Sequence, residues 1–396
     1  MANLNSDLNR IILCTALIAC FSFRPSQSSD SVGSHQTAES RASFFIFGDS
    51  TVDSGNNNYI ETIPENRADY KPYGQNGFFE GPTGRFSDGR IIVDFIAEYA
   101  NLPLIPPFLQ PSADHTYGVN FASGGAGVLP ETNQGLAIDL ETQVKNFEEV
   151  RKGLEEKVGK EGAKEILGEA VYFISIGSND YMSGYLGNPK MQERFTPEQY
   201  VGMVIGNLTQ TIQRLYENGG RKFGFLSLGP LGCLPALRAL NPEGGCLEAA
   251  SALALAHNNA LSSVLASLQL ALPAFSYSDS NFYDWLHDRI HNPATYGLKE
   301  GVKACCGSGP YGGIFSCGGT KKTTEYSLCD NVNDHVWWDS FHPTQMIHRQ
   351  FALLLWSGPT SSVAPFNLHS LFTTNTKRTI ADVVDRPQQA PPHQFT

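Results

Sequence analysis

Three short apolar, aromatic-rich runs, each stopped by a glycine, constrain the fold of this chain more than any other feature. They occupy residues 43–47, 171–176 and 223–228, and residues 274–278 form a weaker fourth run. Near-continuous apolar runs, rather than strict alternation of polar and apolar residues, are typical of parallel strands covered on both faces. The runs therefore predict buried strands of a parallel sheet.

Amphipathic segments separate these predicted strands. Residues 89–100, 140–158, 197–218 and 246–272 carry apolar residues at the spacing of one helix face, and Asn-Gly-Gly or proline follows the last two. Strands that alternate with helices predict an α/β fold, a three-layer sandwich with a mostly parallel central sheet. In such sheets the ligand lies beyond the carboxyl ends of the strands, which is where a functional site is expected.

The amino terminus is typical of a secretory signal peptide, predicted to cover residues 1–28. Its apolar run, residues 11–23, is too short to span a bilayer and has a polar segment on each side, whereas a buried terminal helix is the alternative. We expect a polar leader at 29–42, a single domain at 43–372 and a disordered tail at 373–396. No later stretch approaches the roughly eighteen apolar residues of a membrane span, so the sequence predicts secretion without stable membrane insertion.

The charge of the chain limits its partners. A formal net charge of −11 repels phosphate backbones, which argues against nucleic acid as a partner. No run of Lys or Arg suited to an anionic membrane surface is present in the sequence. Neither feature determines the oligomeric state.

Eight cysteines are present, and Cys14 and Cys20 lie in the predicted signal peptide. The other six are even in number, and a secreted protein folds in an oxidising compartment, so these cysteines are predicted to form disulfides. The set is Cys233, Cys246, Cys305, Cys306, Cys317 and Cys329. Cys233 and Cys246 are close in sequence and are predicted to pair, whereas the pairing of the other four stays open. A zinc site is the alternative, but the CxxC pairs and histidine spacing of such sites are missing. Asn207 begins the sequon NLT and is a candidate glycosylation site.

Two polar residues follow predicted strands. Ser50 ends the tripeptide GDS after the first strand, and Asn179 lies in GSND after the second. A hydroxyl at this edge can face a ligand, and an asparagine amide can donate to a developing oxyanion. A turn or a helix cap is the alternative for each residue.

Two further segments complete a possible catalytic set. Residues 120–127, NFASGGAG, are small enough for the backbone to approach a ligand, although a plain glycine turn is the alternative. Near the carboxyl terminus, WDSFHP places Asp339 three residues before His342, so that one loop can deliver a base and the carboxylate that orients it. The alternative bases are His257, His287 and His335. Serine, small-residue donor, amide and Asp-x-x-His together are the groups that acyl transfer requires.

Over residues 43–371 the sequence closely resembles the plant GDSL esterase/lipase family, within the SGNH hydrolases. The resemblance rests on motifs that occur in the family's order. They are FGDSTVDSGNNNY, GPTGRFSDGR, GVNFASGGAG, GSNDY, LGPLGCLP, KACCGSG and WDSFHPT. A threonine follows the GDS triplet where the family name has leucine, a position at which many plant members vary.

The resemblance implies a role for each residue of the set. Ser50 matches the nucleophile, His342 the base and Asp339 the residue that orients it. The backbone N–H of Ser50 and the side chain of Asn179 match two oxyanion donors. The third donor is expected at Gly124, with Gly125 possible by a shift of one residue.

The predicted function is hydrolysis of carboxylic esters by a secreted serine esterase or lipase, through an acyl-enzyme and without a metal or organic cofactor. The substrate is expected to be a small-molecule or lipid ester. An acyltransferase that passes the acyl group to a plant metabolite alcohol is the nearer alternative, because a triad serves both reactions. A non-catalytic secreted binding protein is the more distant one.

Overall fold

The computed structural model describes residues 42–373, except residues 320, 322 and 324. The predicted signal peptide, nearly all of the polar leader and the tail from residue 374 lie outside the described residues. Six strands form the central sheet in the order β10-β5-β4-β3-β1-β2, in which only β10 is antiparallel. These strands are β1 (Phe44–Gly48), β2 (Gly118–Asn120), β3 (Val171–Ser175), β4 (Lys222–Phe225), β5 (Ser276–Ser280) and β10 (Val363–Pro365).

This strand order places a switch point between β1 and β3. From β1 the chain crosses first to β2 on one side and later to β3 on the other, the arrangement of flavodoxin-like sheets. A crevice therefore opens beyond the carboxyl ends of β1 and β3. Every residue of these two strands is buried, as the near-continuous apolar runs predicted.

Nine α-helices are present within the described residues, besides short 3-10 helices and one π-helix at Asp180–Leu186. They are α1 (Ile92–Tyr99), α2 (Leu140–Glu169), α3 (Pro189–Arg194), α4 (Pro197–Glu217), α5 (Pro235–Ala239), α6 (Glu248–Ala271), α7 (Phe282–His291), α8 (Gln345–Ser357) and α9 (Leu368–Thr373). The side chains of β1 show that helices cover both faces of the sheet. The ring of Phe45 packs against that of Phe147 of α2, with 5.3 Å between the ring centroids. The ring of Phe44 packs against that of Phe372 of α9, with 5.4 Å between the centroids. Adjacent residues of a strand point to opposite faces, so these contacts confirm the predicted three-layer α/β sandwich.

The predicted strands and helices are found with shifted ends. β4 stops at Phe225 rather than residue 228, and the backbone of Leu228 pairs with the side chain of Asn258. β5 begins two residues late, after Ala274 with a φ of 60°. The helix predicted at 140–158 is interrupted at Gly159, where φ is 75°, and then continues to Glu169.

A smaller region beside the sheet carries four short strands in two pairs. They are β6 (Glu300–Ala304), β7 (Cys306–Gly307), β8 (Ser327–Leu328) and β9 (His335–Trp337). β6 pairs with β9 in parallel, and β7 with β8 in antiparallel orientation.

Three disulfides are present among the described residues. The predicted bond between Cys233 and Cys246 is formed, and it joins a turn after β4 to the segment directly before α6. The four cysteines whose pairing stayed open are joined as Cys305–Cys329 and Cys306–Cys317. Within the part of the chain that the structure describes, no helix has both the length and the apolar composition that a bilayer crossing needs.

Candidate active site

Ser50 lies in a tight turn directly after β1. Gly48 takes a φ of 153°, and a Cβ there would lie 2.2 Å from the carbonyl oxygen of Ser175, so only glycine fits between β1 and β3. The buried Asp49 side chain accepts a hydrogen bond from the Thr51 N–H at 3.0 Å and closes the turn. Burial raises the pKa of this carboxyl. The turn leaves the Ser50 side chain half-buried at the wall of the crevice.

Asp339 and His342 share one turn between β9 and α8. Asp339 Oδ1 accepts the backbone N–H of Phe341 at 2.9 Å and that of His342 at 2.8 Å, which locks the turn. The same oxygen lies 2.8 Å from His342 Nδ1. An ionised carboxylate can only accept, so Nδ1 carries the proton and Nε2 presents a lone pair.

The turn brings His342 to Ser50 across most of the chain. His342 Nε2 lies 2.8 Å from Ser50 Oγ, although the two residues are 292 positions apart in sequence. Since Nε2 has a free lone pair, it accepts the hydrogen bond of the serine hydroxyl. The structure thus connects Ser50, His342 and Asp339 in series, in the geometry of a nucleophile, a base and an orienting carboxylate.

Asp339 has a further partner that the sequence did not suggest. The buried hydroxyl of Tyr73 donates to Asp339 Oδ2 at 2.7 Å. Burial alone would raise the pKa of Asp339. The charge of His342, the hydrogen bonds from His342 and Tyr73 and the charge of Lys321 together hold that pKa below its usual value. Asp339 is therefore an anion at neutral pH.

The two predicted loop donors differ in orientation. The Gly124 N–H donates to the buried Asp53 Oδ2 at 3.0 Å, and Gly124 does not line the crevice. The N–H of Gly124, the first choice of donor at this loop, is therefore engaged with Asp53 in this structure. Gly125, the alternative by a shift of one residue, lines the crevice, and its N–H has no hydrogen-bond partner among the described residues. Its φ of 86° favours glycine.

Asn179 follows β3 and lines the same crevice. One N–H of its side-chain amide donates to the carbonyl oxygen of Ala126 at 2.9 Å, which fixes the amide plane. The second N–H has no partner among the described residues and is free for a ligand. The backbone N–H of Ser50 is likewise not donated to any group in the described part of the chain.

Two buried carboxylates hold the segments that carry these donors. Asp53 accepts the N–H groups of Gly55 and Gly124, and Asp180 accepts those of Val128 and Leu129. Burial raises the pKa of each carboxyl to about 6, against the opposing effect of these hydrogen bonds. Asp53 thus anchors the loop to the segment after β1, and Asp180 anchors it to the segment after β3.

Next to Ser50 the crevice widens into a cavity of about 460 Å³, within the range typical of small-molecule sites. Most of the side chains that line it are apolar. They include Phe86, Met182, Leu231, Leu234, Leu237, Phe282, Leu286, Phe315, Trp337 and Phe341. Such a lining is suited to a hydrocarbon group rather than to a charged one.

The alternative histidines lie elsewhere. His257 is buried on α6 and bonded to the Tyr181 hydroxyl at 2.8 Å, and burial lowers its pKa to about 3. His287 stacks on His291 along α7, and His335 contacts the backbone of Asn331. None of the three lines the crevice. Among residues 42–373 as described, no group of three His, Cys, Asp or Glu side chains is placed to hold a metal ion.

Comparison with known proteins matches the sequence of this chain to a described family. The family model described as GDSL-like Lipase/Acylhydrolase matches residues 44–355. "GDSL esterase/lipase 5" of Arabidopsis thaliana is 49% identical over 347 residues, covering 86% of this chain and 89% of that protein. "GDSL esterase/lipase 1" of the same plant is 45% identical, covering 87% and 93%. "GDSL lipase" of Tanacetum cinerariifolium is 44% identical, covering 85% and 89%.

Proposed function

Because the chain belongs to the GDSL-like lipase/acylhydrolase family, we propose that it hydrolyses carboxylic esters through an acyl-enzyme formed on Ser50. The family assignment makes it a carboxylic ester hydrolase, and the role of each residue is the proposal. The hydrogen bond of 2.8 Å between Ser50 Oγ and His342 Nε2 carries it. It joins a hydroxyl to a base whose far nitrogen already faces a carboxylate.

In the first step His342 Nε2 takes the proton of Ser50 as Oγ attacks the ester carbonyl carbon. Asp339 stays ionised and stabilises the imidazolium through Nδ1–H. The imidazolium then protonates the alcohol oxygen as the bond between that oxygen and the carbonyl carbon breaks. Water, deprotonated by His342, attacks the acyl-serine and releases the acid. As the bond between the acyl carbon and Ser50 Oγ breaks, the imidazolium returns a proton to that oxygen. The proton that Ser50 lost has left with the alcohol, and a proton of the water replaces it.

The negative charge that develops on the carbonyl oxygen is held by three N–H donors. They are the backbone N–H of Ser50, the backbone N–H of Gly125 and the free side-chain N–H of Asn179. Fixed donors of this kind each contribute about 3–4 kcal/mol to the transition state. The choice of Gly125 rests on the engagement of its neighbour Gly124 with Asp53.

The apolar cavity beside Ser50 supports an ester with a hydrocarbon group on at least one side of its carbonyl. Burying each methylene of such a group contributes roughly 0.8 kcal/mol to binding. An ester that fills the cavity is therefore expected to be preferred over acetate esters, whose acyl group leaves most of the apolar lining in contact with water.

We propose that the protein is secreted and glycosylated. The three disulfides support an oxidising compartment. Asn207 is exposed on α4, where its side chain can carry a glycan. A mobility shift on treatment with an endoglycosidase, absent from Asn207→Gln, tests the modification.

The variant Ser50→Ala tests the catalytic assignment. We expect it to lose turnover of p-nitrophenyl esters and labelling by a fluorophosphonate probe while retaining the near-UV circular dichroism of the native protein. Ser263→Ala, on an exposed part of α6, is the matched control and should behave as wild type. Products are to be counted with and without an added alcohol, because an alcohol can also resolve an acyl-enzyme. Wild-type turnover by Ser50→Ala would contradict the proposal.

A further inference from the structure

A buried lysine lies behind the Asp339–His342 pair. Lys321 is 2% exposed, and its ammonium lies over the ring of Phe315 at 4.0 Å, that of Tyr70 at 5.0 Å and that of Tyr73 at 5.1 Å. Aromatic faces attract a cation but do not replace its hydration completely. A lysine in such a place costs free energy of folding, so its charge is expected to have a use.

The ammonium of Lys321 is connected to Asp339 through the hydroxyl of Tyr73. Nζ donates to the carbonyl oxygen of Cys317 at 3.1 Å and to the hydroxyl oxygen of Tyr73 at 3.3 Å. Tyr73 in turn donates its proton to Asp339 Oδ2. A continuous series of hydrogen bonds therefore runs from Lys321 through Tyr73, Asp339 and His342 to Ser50.

Two features of the chain keep this series in place. The disulfide between Cys306 and Cys317 fixes the backbone at Cys317. The carbonyl oxygen of Cys317 accepts a hydrogen bond from the Lys321 ammonium. The ring of Tyr73 packs edge-on against Trp338, the residue directly before Asp339, at 6.0 Å. The tyrosine is therefore fixed to the same turn that carries the carboxylate.

We propose that Tyr73 and Lys321 are positioning residues for this reaction, which hold the carboxylate of Asp339 ionised and rotated so that Oδ1 stays on His342 Nδ1. The inference rests on the proposed role of Asp339 as the orienting group. The backbone N–H groups of Phe341 and His342 hold Oδ1, whereas Oδ2 is held by the Tyr73 hydroxyl at 2.7 Å and lies 3.0 Å from His342 Nδ1. Without the Tyr73 hydroxyl, Oδ2 would keep only its contact with the imidazole, so the plane of the carboxylate would be less firmly fixed. The ammonium polarises the tyrosine O–H bond and strengthens the hydrogen bond that it donates.

The charge state of Lys321 gives this network a pH dependence. Burial lowers the pKa of Lys321 to about 8, against the opposing charges of Asp339 and Glu65. The other ionisable groups that face it, Tyr70 and Tyr73, have raised pKa values because they are buried, and stay neutral. Lys321 is thus charged below about pH 8 and loses its proton above it. Part of the support for Asp339 is then lost, so turnover should decline on the alkaline side.

Four variants test the network. Tyr73→Phe removes the hydroxyl and keeps the ring. Lys321→Met removes the charge and keeps most of the unbranched side chain, and Lys321→Arg keeps the charge. The double variant Tyr73→Phe/Lys321→Met tests whether the lysine acts through the tyrosine. Lys303→Met and Tyr326→Phe, both at exposed positions of the same region, are the matched controls. For each variant, kcat and KM are measured from pH 6 to pH 10 together with the midpoint of urea unfolding.

We expect Tyr73→Phe to lower kcat about 10-fold with little change in KM, the loss for one charge-assisted hydrogen bond at the low end of its range. Lys321→Met should lower kcat by a smaller factor and remove the decline near pH 8, and Lys321→Arg should restore much of the rate. The loss in the double variant should be smaller than the product of the two single losses, because much of the effect of the lysine passes through the tyrosine.

The proposal is overturned if Lys321→Met keeps the wild-type rate and pH profile, or if the losses of the single variants multiply in the double variant. A lower midpoint of urea unfolding in Lys321→Met, with the pH profile of turnover unchanged, would also overturn the proposal, because that result indicates that the lysine has a structural role alone. Fluorophosphonate labelling of Ser50 and its loss in His342→Ala separate these outcomes from a failure of the proposed function. If labelling does not depend on His342, the triad assignment itself fails.

Discussion

The backbone N–H of Gly124 donates to the buried carboxylate of Asp53 at 3.0 Å, and this bond sets the direction of the next peptide. Gly124 is fixed by this bond on the side of the loop away from the crevice. The chain then turns at Gly125, where φ is 86°, and Gly125 lines the crevice. The donor proposed for the oxyanion is therefore positioned by a group that does not touch the substrate.

Asp53→Asn is expected to impair catalysis while leaving Ser50 and His342 in contact. Asp53 Oδ1 accepts two N–H groups and Oδ2 accepts a third, so an amide NH₂ must face at least one N–H donor. The loop then shifts, and a shift of ~1 Å in a catalytic group costs on the order of 100-fold in rate. The measurement is kcat with a p-nitrophenyl ester.

Asp114→Asn, an exposed position, is the control for Asp53→Asn. A wild-type kcat in Asp53→Asn would show that the bond to Gly124 does not set the loop. Fluorophosphonate labelling, which reports on Ser50 directly, should decline in parallel with kcat if the variant acts through the oxyanion donors.

Asn179→Ala is expected to lower kcat by about 100-fold or more with a small effect on KM, because the lost donor acts on charge that develops in the transition state. Asn259→Ala removes an exposed amide from α6 and should leave both constants unchanged. An equal increase in KM without a change in kcat would instead assign Asn179 to ground-state binding.

Much of this arrangement could be predicted from the sequence, and the reason is physical. The runs before Gly48 and Gly177 are apolar because β1 and β3 are covered on both faces, and parallel strands bring their carboxyl ends to one edge. Any polar side chain directly after those strands therefore lies near the crevice. This local argument, together with the family's motifs, places Ser50 and Asn179.

Contacts between distant residues that no motif marks could not be predicted. The contact between Tyr73 and Asp339 joins positions 266 residues apart, and no motif around Tyr73 points to it. Lys321 is hydrophilic and would ordinarily be exposed, so its burial depends on rings that two other segments supply, Tyr70 and Tyr73 from one turn and Phe315 from another. The choice between Gly124 and Gly125 is a matter of peptide orientation, which residue type alone does not determine.

The pKa values of Asp53 and Asp180 predict how stability changes with pH. Each carboxyl has a pKa raised from 3.8 to about 6 in the folded protein, so the folded state binds more protons than the unfolded state between these values. Their stabilising contribution is therefore full below pH 3.8 and is lost as the pH rises through about 6. The loss amounts to on the order of 3 kcal/mol for each group.

Asp180→Asn isolates this effect, because the amide does not titrate. Its NH₂ group faces one of the N–H donors that Asp180 accepts, which lowers stability by the same amount at every pH and leaves the pH dependence to report on the carboxyl. Between pH 4.5 and pH 7.5 the unfolding free energy of the wild type, measured in urea, should fall by more than that of the variant. Asp114→Asn should follow the wild type, since Asp114 is exposed. Equal pH dependence in Asp180→Asn and the wild type would mean that Asp180 is ionised well below pH 6.

The cavity beside Ser50 predicts which substrates are selected. Leu286 is 2% exposed and belongs to its apolar lining, on α7. In Leu286→Trp the larger indole should occupy space that a long acyl or alcohol chain would fill. We expect kcat/KM for octanoate esters to fall by about 10–100-fold relative to acetate esters, the range for a few methylenes in an apolar pocket.

Leu270→Trp makes the same change at a residue that is 91% exposed on α6, and it should leave the ratio unchanged. Overpacking can cost about 1–3 kcal/mol of stability, so the unfolding midpoint of each variant is measured alongside the chain-length profile. A loss that is equal for octanoate and acetate would reflect disturbed packing around Ser50. Only a loss that grows with chain length identifies this cavity as the site of the hydrocarbon group.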